Sequence, residues 1–328
     1  MSSPFIDART AVAVGRSTVP PGPVPAPAAM AELVDGLRSA AAASVAPAVA
    51  VTHLDLPPDA DPQAAVVDRA TWVEANATMA VALLARATGG PLPTPATLRE
   101  RAAARVNGAQ LGGVLALLGT RILGQYLPFG ERPRLVLVAP NIAGAEHELG
   151  VNRADFRLWV CLHERTHHLQ FAHAPWLRDH LAGRVGEFLA DDEPDTATHR
   201  GHPRSLVDVV ATPRQRAVFD EVGAVMALLE GYAEVMMDRV GPEVVPTVGV
   251  IRERFERRRR RGGVRAVLNR VMGLDVKLAQ YAEGAAFCRA VIDRVGVDGL
   301  NAAYGGPGLL PRPDEIREPG RWVARVHA

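Results

Sequence analysis

The chain has 328 residues, of which 48% are hydrophobic and 22% charged, and its formal net charge is +1. These values are typical of a globular protein with a large buried core, and they exclude a global field that would attract nucleic acid or an anionic membrane. The arginine run at 257–261 lacks the interleaved aromatic residues that base stacking needs, so we interpret it as a solvated helix end.

Cysteine content and apolar stretches predict a cytoplasmic protein. There are two cysteines far apart in sequence, and the first 15 residues lack the basic and apolar regions of a signal peptide. The most apolar stretch, 111–127, is short and interrupted by glycine, arginine and glutamine, so no membrane span is predicted. The sequence does not indicate an oligomeric state.

The N-terminal part of the chain is predicted to contain a segment with a proline-rich connector, followed by three helices. Residues 1–28 are predicted to be an N-terminal segment that ends in a proline-rich, extended connector. Thr94 and Pro95 are interpreted as the start of a long helix. The three predicted helices cover about 29–46, 68–88 and 95–127.

The clearest predicted strand is at 134–139, where a continuous apolar run follows Arg134 and the segment lies between two prolines. A helix is then predicted from about Arg153, with Asn152 as its N-cap. Residues 191–205 are polar and are predicted to form an exposed loop. Thr212 and Pro213 predict the start of another long helix, to about Val240, and the chain is predicted to stay helical to about Gly296.

Helix therefore dominates, and the predicted fold class is α+β, predominantly α-helical, with a short strand element before a histidine-containing helix. The predicted division is a segment at 1–28, a helical region at 29–130 and a catalytic region at 131–328. In the alternative, the last two regions form one compact unit.

The histidine-containing helix carries an H-E-x-x-H motif, His163-Glu164-Arg165-Thr166-His167. Residues four apart share one face of a helix, so His163 and His167 aim their rings at one point, with Glu164 about 100° around the axis. Two ligands and a base on one rigid element are typical of zinc hydrolases. The motif predicts Zn²⁺ bound by both histidines and a zinc-bound water activated by Glu164. The alternative is a histidine pair without a metal.

Two residues compete to be the third ligand. His173 matches the spacing of metzincins, but Gln170 stands where their glycine breaks the helix. Without that break, His173 lies about 240° around the helix from His167.

Glu230 is the favoured third ligand. It begins a stripe with Glu234 and Asp238 on a helix that is apolar almost all round. A buried carboxylate is tolerated when it binds a metal or pairs with a ligand. This favours Glu230 on the metal, with Glu234 accepting a hydrogen bond from the outer nitrogen of a ligating histidine. The reverse assignment of the two glutamates stays open.

These residues resemble the zincin superfamily. HERTH is similar to its zinc helix, and Glu230-Gly-Tyr-Ala-Glu234 is similar to the E-G-x-A-E helix of gluzincin peptidases. The resemblance implies a zincin-like core in which the strand at 135–139 is the edge strand that pairs with an extended substrate.

A closer resemblance is to a bacterial family of zincin-like hydrolases associated with biosynthesis of the deazaflavin coenzyme. That family is named for genomic association, so the resemblance does not supply a substrate. The segments that carry it are Val66–Trp72, Phe156–Phe171 and Gly273–Tyr281.

The expected function is that of a zinc-dependent hydrolase, a metallopeptidase acting on a peptide or peptide-like substrate. The alternatives are a hydrolase of a small amide metabolite and a non-catalytic zinc-binding protein, although the intact Glu164 argues against the latter. Tyr281 and His168 are the candidates for stabilising an oxyanion.

Overall fold

The computed structural model describes residues 5–57, 64–130, 132–190, 212–260 and 278–328. It confirms a predominantly α-helical α+β fold with one small sheet. The strands are β1 (Ala65–Val67), β2 (Gly124–Leu127) and β3 (Arg134–Val138). The helices are α1 (Ala8–Thr18), α2 (Pro27–Ala43), α3 (Val45–Thr52), α4 (Arg69–Ala87), α5 (Leu98–Gly119), α6 (Ala139–Leu149), α7 (Arg153–His173), α8 (Trp176–Ala190), α9 (Pro213–Arg239), α10 (Val248–Arg260), α11 (Leu278–Asn301), α12 (Pro313–Arg317) and α13 (Pro319–Val326), with short 3₁₀ turns at Ala302–Gly305 and Pro307–Leu309.

The two helices that carry the predicted site begin where the sequence predicts. The Asn152 side chain accepts a hydrogen bond from the Asp155 backbone N–H and starts α7. Thr212 and Gln215 form a reciprocal capping box at the start of α9. Side-chain caps satisfy backbone N–H groups that have no partner within the helix. Residues adjacent in sequence therefore determine where these two helices begin.

The predicted helix at 95–127 differs from the structure at both ends. Thr97 is its N-cap rather than Thr94, because Thr97 and Glu100 form a capping box. The helix ends at Gly119, and the chain then enters β2, which the sequence interpretation missed. The predicted loop at 191–205 lies outside the described residues, as does Arg261.

The sheet has the order β1-β3-β2, with β1 parallel and β2 antiparallel to β3. The prediction that 135–139 is an edge strand is therefore wrong, because β3 lies between two others. All its residues from Leu135 to Val138 are buried, as expected for a strand covered on both faces. The edge strand that approaches α7 is β2.

The hydrophobic core joins the regions that the sequence divided at residue 130. Leu33 and Leu37 of α2 share one buried cluster with Phe156 and Leu162 of α7. The sheet also links both sides, since β1 and β2 precede residue 130 and β3 follows it. These contacts connect the described parts of the two predicted regions, 29–130 and 131–328, and the division at residue 130 stays a prediction. The predicted N-terminal segment contains α1, which packs on α4 and α5.

The stretch Pro27–Thr52 is long and apolar enough to cross a membrane by length and composition alone. It forms two helices here, α2 and α3, and both pack on α7. A core helix of a globular protein can have the same composition; Leu33 and Leu37 are buried, while 28% of the apolar window as a whole is buried.

The packing of α9 on α11 sets the position of Glu230. A Cβ atom on Gly231, the next residue, would overlap the backbone of Gly284 and Ala285 in α11. The two helices are the most extensively packed pair among the described residues. Glycine at 231 therefore allows the backbones of the two helices to approach closely. This approach positions Glu230, the first residue of the E-G-x-A-E segment.

Replacing Gly231 with alanine is expected to lower the free energy of unfolding by about 1–3 kcal/mol, because the added methyl group overpacks the α9–α11 contact. Denaturant unfolding measures this change. Gly183→Ala is the matched control: it also lies within a helix, and a Cβ there meets nothing within 4 Å. That control should be stabilised by up to about 1 kcal/mol, and equal destabilisation of both variants would contradict the packing argument.

Candidate metal centre

The structure brings His163, His167 and Glu230 together. One donor atom from each residue lies within 4.8 Å of the other two. The Nε2 atoms of the histidines are 3.2 Å apart, and each is 3.6 Å from a different carboxylate oxygen of Glu230. The two rings are nearly perpendicular, at 89°. Two helices distant in sequence, α7 and α9, thus supply one cluster.

These separations fit the donor set of a zinc ion. Tetrahedral zinc with bonds of about 2.0–2.1 Å has ligand atoms about 3.3–3.4 Å apart. Imidazole nitrogen and carboxylate oxygen are ligands that zinc accepts, and three protein ligands leave one position for a reacting group. When both rings are neutral and carry their hydrogen on Nδ1, the two Nε2 atoms and the Glu230 carboxylate are all hydrogen-bond acceptors. No hydrogen then lies between the two Nε2 atoms. Such an arrangement calls for a cation or a shared proton.

The outer nitrogens of the two histidines contact Gln170 and Met237. Nδ1 of His167 lies 2.9 Å from Oε1 of Gln170, and Nδ1 of His163 lies 3.3 Å from Sδ of Met237. Both partners accept rather than donate, so each ring carries a hydrogen on Nδ1 and directs Nε2 into the cluster.

This contact pattern corrects the prediction for Glu234. That carboxylate does not reach an outer nitrogen, because it lies on the side of α9 that faces α11, 3.4 Å from the Arg289 guanidinium. Glu230 and Glu234 are four positions apart, but of these two only Glu230 faces α7 closely enough to join the cluster.

Burial and two nearby carboxylates set the protonation of the two histidines in opposite directions. Burial alone would lower the pKa of His163, but the hydrogen bond with Glu230 and the negative charges of Glu164 and Glu230 raise it to about 9. Burial lowers the pKa of His167, against the opposing effect of Glu230. Without a metal the cluster therefore retains a proton on His163, and metal binding would release it.

Glu164 lies at the junction of α7 and the edge strand β2. Its carboxylate accepts a hydrogen bond from the backbone N–H of Tyr126, and its Cγ atom packs against Gly124. Burial raises the pKa of Glu164 to about 7, with the nearby His163 acting in the opposite direction. A carboxyl group with a pKa near neutrality is suited to accept and return a proton at physiological pH.

His173 is not part of the cluster. Helix α7 continues without a break to His173, so the helical rotation predicted from the sequence applies, and the His173 side chain is exposed.

His168 and Tyr281 were the predicted oxyanion candidates. His168 is fully buried, with its ring 5.1 Å from that of Tyr126 and its Nδ1 atom 2.9 Å from the Arg165 guanidinium. It lies four residues after Glu164, on the β2 side of the helix rather than beside the two ligands. The side chain of Tyr281 lies outside the described residues, as does the whole of Lys277.

Comparison with known families gives a match over nearly the whole chain. The model of the zincin-like metallopeptidase family matches residues 6–323. The chain belongs to the zincin-like metallopeptidases. Membership implies a zinc-dependent hydrolase, in agreement with the donor set formed by His163, His167 and Glu230.

One solved structure is similar to this zincin-like protein over almost its whole length. A crystal structure from Chloroflexus aurantiacus, described as that of a candidate hydrolase with a novel fold, is 32% identical and has a TM-score of 0.73. The match covers 98% of this chain and 99% of the other. None of the curated proteins compared matches the chain.

The sequence interpretation of this zincin-like protein missed Gln170, Gly124 and Met237. Gln170 was considered only as a departure from a glycine, although a residue three positions after a ligand shares its helix face. Gly124 carried a signal too, because a glycine is unfavourable within the helix that was predicted there. Nothing in the local sequence of Met237 indicates its contact with His163.

Replacing Gly124 with alanine is expected to lower the hydrolytic rate while leaving zinc content unchanged. A Cβ there would lie 2.7 Å from Cγ of Glu164 and would push the carboxylate from its place, and misplacing a catalytic group by about 1 Å can cost about 10²-fold. The measurements are turnover and metal content. Gly113→Ala, where a Cβ meets nothing within 4 Å, should retain wild-type turnover. Loss of zinc in Gly124→Ala would show instead that Gly124 is needed for the position of the zinc ligands.

Proposed function

We propose that this protein is a zinc metallopeptidase in which His163, His167 and Glu230 hold the ion and Glu164 is the general base. The observation that carries the proposal is the convergence of three donor atoms within 4.8 Å on two buried helices, with a fourth ionisable group, Glu164, next to them on α7. Family membership supports the hydrolytic chemistry.

The roles of the residues follow from their positions. A zinc ion held by this set would supply a Lewis acid that activates water and polarises a carbonyl group. The Glu164 carboxylate accepts the proton of the attacking water and delivers it to the leaving amine. The Tyr126 N–H holds that carboxylate in place, and the buried setting keeps its pKa near neutrality. Glu164 does not itself join the three donors.

The edge strand β2 supports a peptide as the substrate. One side of β2 pairs with β3, and no other strand pairs with β2 in the part of the chain that the structure describes. An extended peptide adds to such an edge through backbone hydrogen bonds, with its carbonyl groups brought alongside the base. Glu164 contacts β2 at Gly124 and Tyr126, so a peptide on this edge would pass close to the general base.

A second candidate is the hydrolysis of a small amide or peptide-like metabolite. The observation that favours it is the length of β2, only four residues, one of whose backbone N–H groups already bonds to Glu164. Such an edge offers few hydrogen bonds to a long peptide. The association with the deazaflavin coenzyme stays a prediction from sequence resemblance.

Digestion of a peptide library by the zinc-loaded protein tests the proposal. We expect cleavage products that depend on zinc and that are absent with the Glu164→Gln variant. Cleavage that persists after zinc is removed by a chelator would contradict the proposed chemistry. If zinc-dependent cleavage is confined to dipeptides or acylated amino acids, the small-amide candidate replaces the peptidase.

A further inference from the structure

The Gln170 side chain joins the zinc helix to the glutamate helix. It is fully buried three residues after His167 on α7. Its Oε1 atom lies 2.9 Å from Nδ1 of His167, and its Nε2 atom lies 3.1 Å from the carbonyl oxygen of Leu229, the residue before Glu230. The same Nε2 atom donates to the hydroxyl oxygen of Tyr304 at 2.8 Å. One amide thus touches a ligand of α7 and the backbone that carries the ligand of α9.

The partners of Nε2 fix which way the amide faces. A backbone carbonyl oxygen only accepts hydrogen bonds, so the group that faces Leu229 must be the NH₂ group of Gln170. The amide oxygen must then face His167, and it accepts as well. His167 therefore carries its hydrogen on Nδ1, and the lone pair of the neutral ring lies on Nε2, 3.6 Å from Glu230.

Packing alone does not explain a glutamine at this position. A methionine fills a similar volume and needs no hydrogen-bond partner, whereas a buried amide is costly unless its polar atoms are satisfied. All the contacts of Gln170 named above are with His167, with the backbone next to Glu230, or with Tyr304, which is itself buried. The polar atoms of Gln170 are thus directed at the metal centre rather than at its own helix.

We propose that Gln170 is a positioning residue that holds His167 in the Nδ1–H tautomer and fixes the separation of α7 and α9 where their ligands meet. The inference rests on the zinc site proposed above. A hydrogen bond from the outer N–H orients a ligating imidazole and raises its basicity. The bond to Leu229 keeps α9 from moving away from α7 next to Glu230.

Zinc affinity of the full chain tests the proposal without any substrate. Gln170→Met removes all three hydrogen bonds at similar volume and is expected to weaken zinc binding about 10–100-fold in competition with a chelator. Thr166→Val is the matched control, because Thr166 is buried on the same helix and, among the described residues, its hydroxyl donates to the Leu162 carbonyl oxygen at 2.9 Å and to no other group. That control should bind zinc as tightly as wild type. Wild-type affinity in Gln170→Met would overturn the proposal.

The tautomer of His167 gives a second readout, independent of zinc. In the metal-free protein with ¹⁵N-labelled histidine, NMR is expected to show His167 protonated at Nδ1 in wild type and a mixture of tautomers in Gln170→Met. An Nε2–H tautomer in wild type would overturn the proposal. If the wild-type protein bound no zinc, the proposed function would fail, and this measurement would still decide the role of Gln170.

Gln170→Glu keeps the test decisive if the methionine variant does not fold. The carboxylate retains an acceptor for the His167 Nδ1–H but loses the donor to Leu229 and Tyr304. We expect this variant to keep the Nδ1–H tautomer and to bind zinc less tightly than wild type. A loss of the tautomer in Gln170→Glu would show that Gln170 does not set it through its acceptor atom.

Discussion

Replacing Glu164 with glutamine is expected to reduce hydrolysis by about 10²–10⁴-fold while leaving zinc bound. The amide has the size of the carboxylate and can still pack against Gly124, but it cannot accept a proton at neutral pH. The three residues whose donor atoms form the cluster do not include Glu164, so the metal should be retained. Turnover on a substrate found in the library digest and zinc content by elemental analysis measure the two effects.

The matched control for this variant is Glu148→Gln. Glu148 lies on α6, is exposed and pairs with Arg258 at 3.0 Å, away from the metal centre. The Glu148→Gln substitution also replaces a carboxylate by an amide, so it changes the charge by the same amount as Glu164→Gln. This variant should keep wild-type turnover. If Glu164→Gln cleaves as fast as wild type on every substrate, another group must act as the base.

Replacing Glu230 with alanine is expected to weaken zinc binding by more than the roughly 10–100-fold that the loss of an outer hydrogen-bond partner costs. Two nitrogen donors on α7 would remain, and α9 would contribute none of the three atoms that now converge. Titration of the metal-free protein with zinc against a competing chelator measures the change. Circular dichroism before zinc addition separates loss of a ligand from loss of the fold.

His173→Ala is the companion variant, and it distinguishes the two ligand sets that the sequence allowed. His173 is exposed at the end of an unbroken helix, so its removal should leave zinc affinity at the wild-type value. The opposite pair of results, full zinc in Glu230→Ala and loss in His173→Ala, would replace Glu230 by His173 as the third ligand.

The α7 part of the site could be predicted from the sequence because it depends on the geometry of one helix. The four-residue spacing of His163 and His167, the offset of Glu164 and the cap at Asn152 are all local features. The same holds for the rotation that turns His173 away. Glu230 could also be predicted as a ligand from the sequence, because a carboxylate on an almost wholly apolar helix needs a partner.

The neighbours of these residues depended on contacts between distant segments. The sequence predicted Glu234 as the partner of a ligating histidine, but the packing of α9 places it beside Arg289 and leaves that role to Gln170 and Met237. A stripe along one helix shows which residues share a face, but it does not show which neighbouring helix each of them meets.

The strand order was likewise decided by tertiary structure alone. The apolar pattern at 134–138 indicates a strand, but only pairing with two other strands makes it central and gives the edge next to Glu164 to β2. β2 is four residues long and β1 three, and such short segments do not contain enough positions to define an alternating pattern in the sequence. The sequence by itself determined the zinc-binding chemistry carried by α7, because hydrogen bonding within one helix fixes those positions. Tertiary structure decided the third ligand's approach, the partners of the histidines and the edge beside the base, because strand pairing and helix packing bring together residues far apart in the chain.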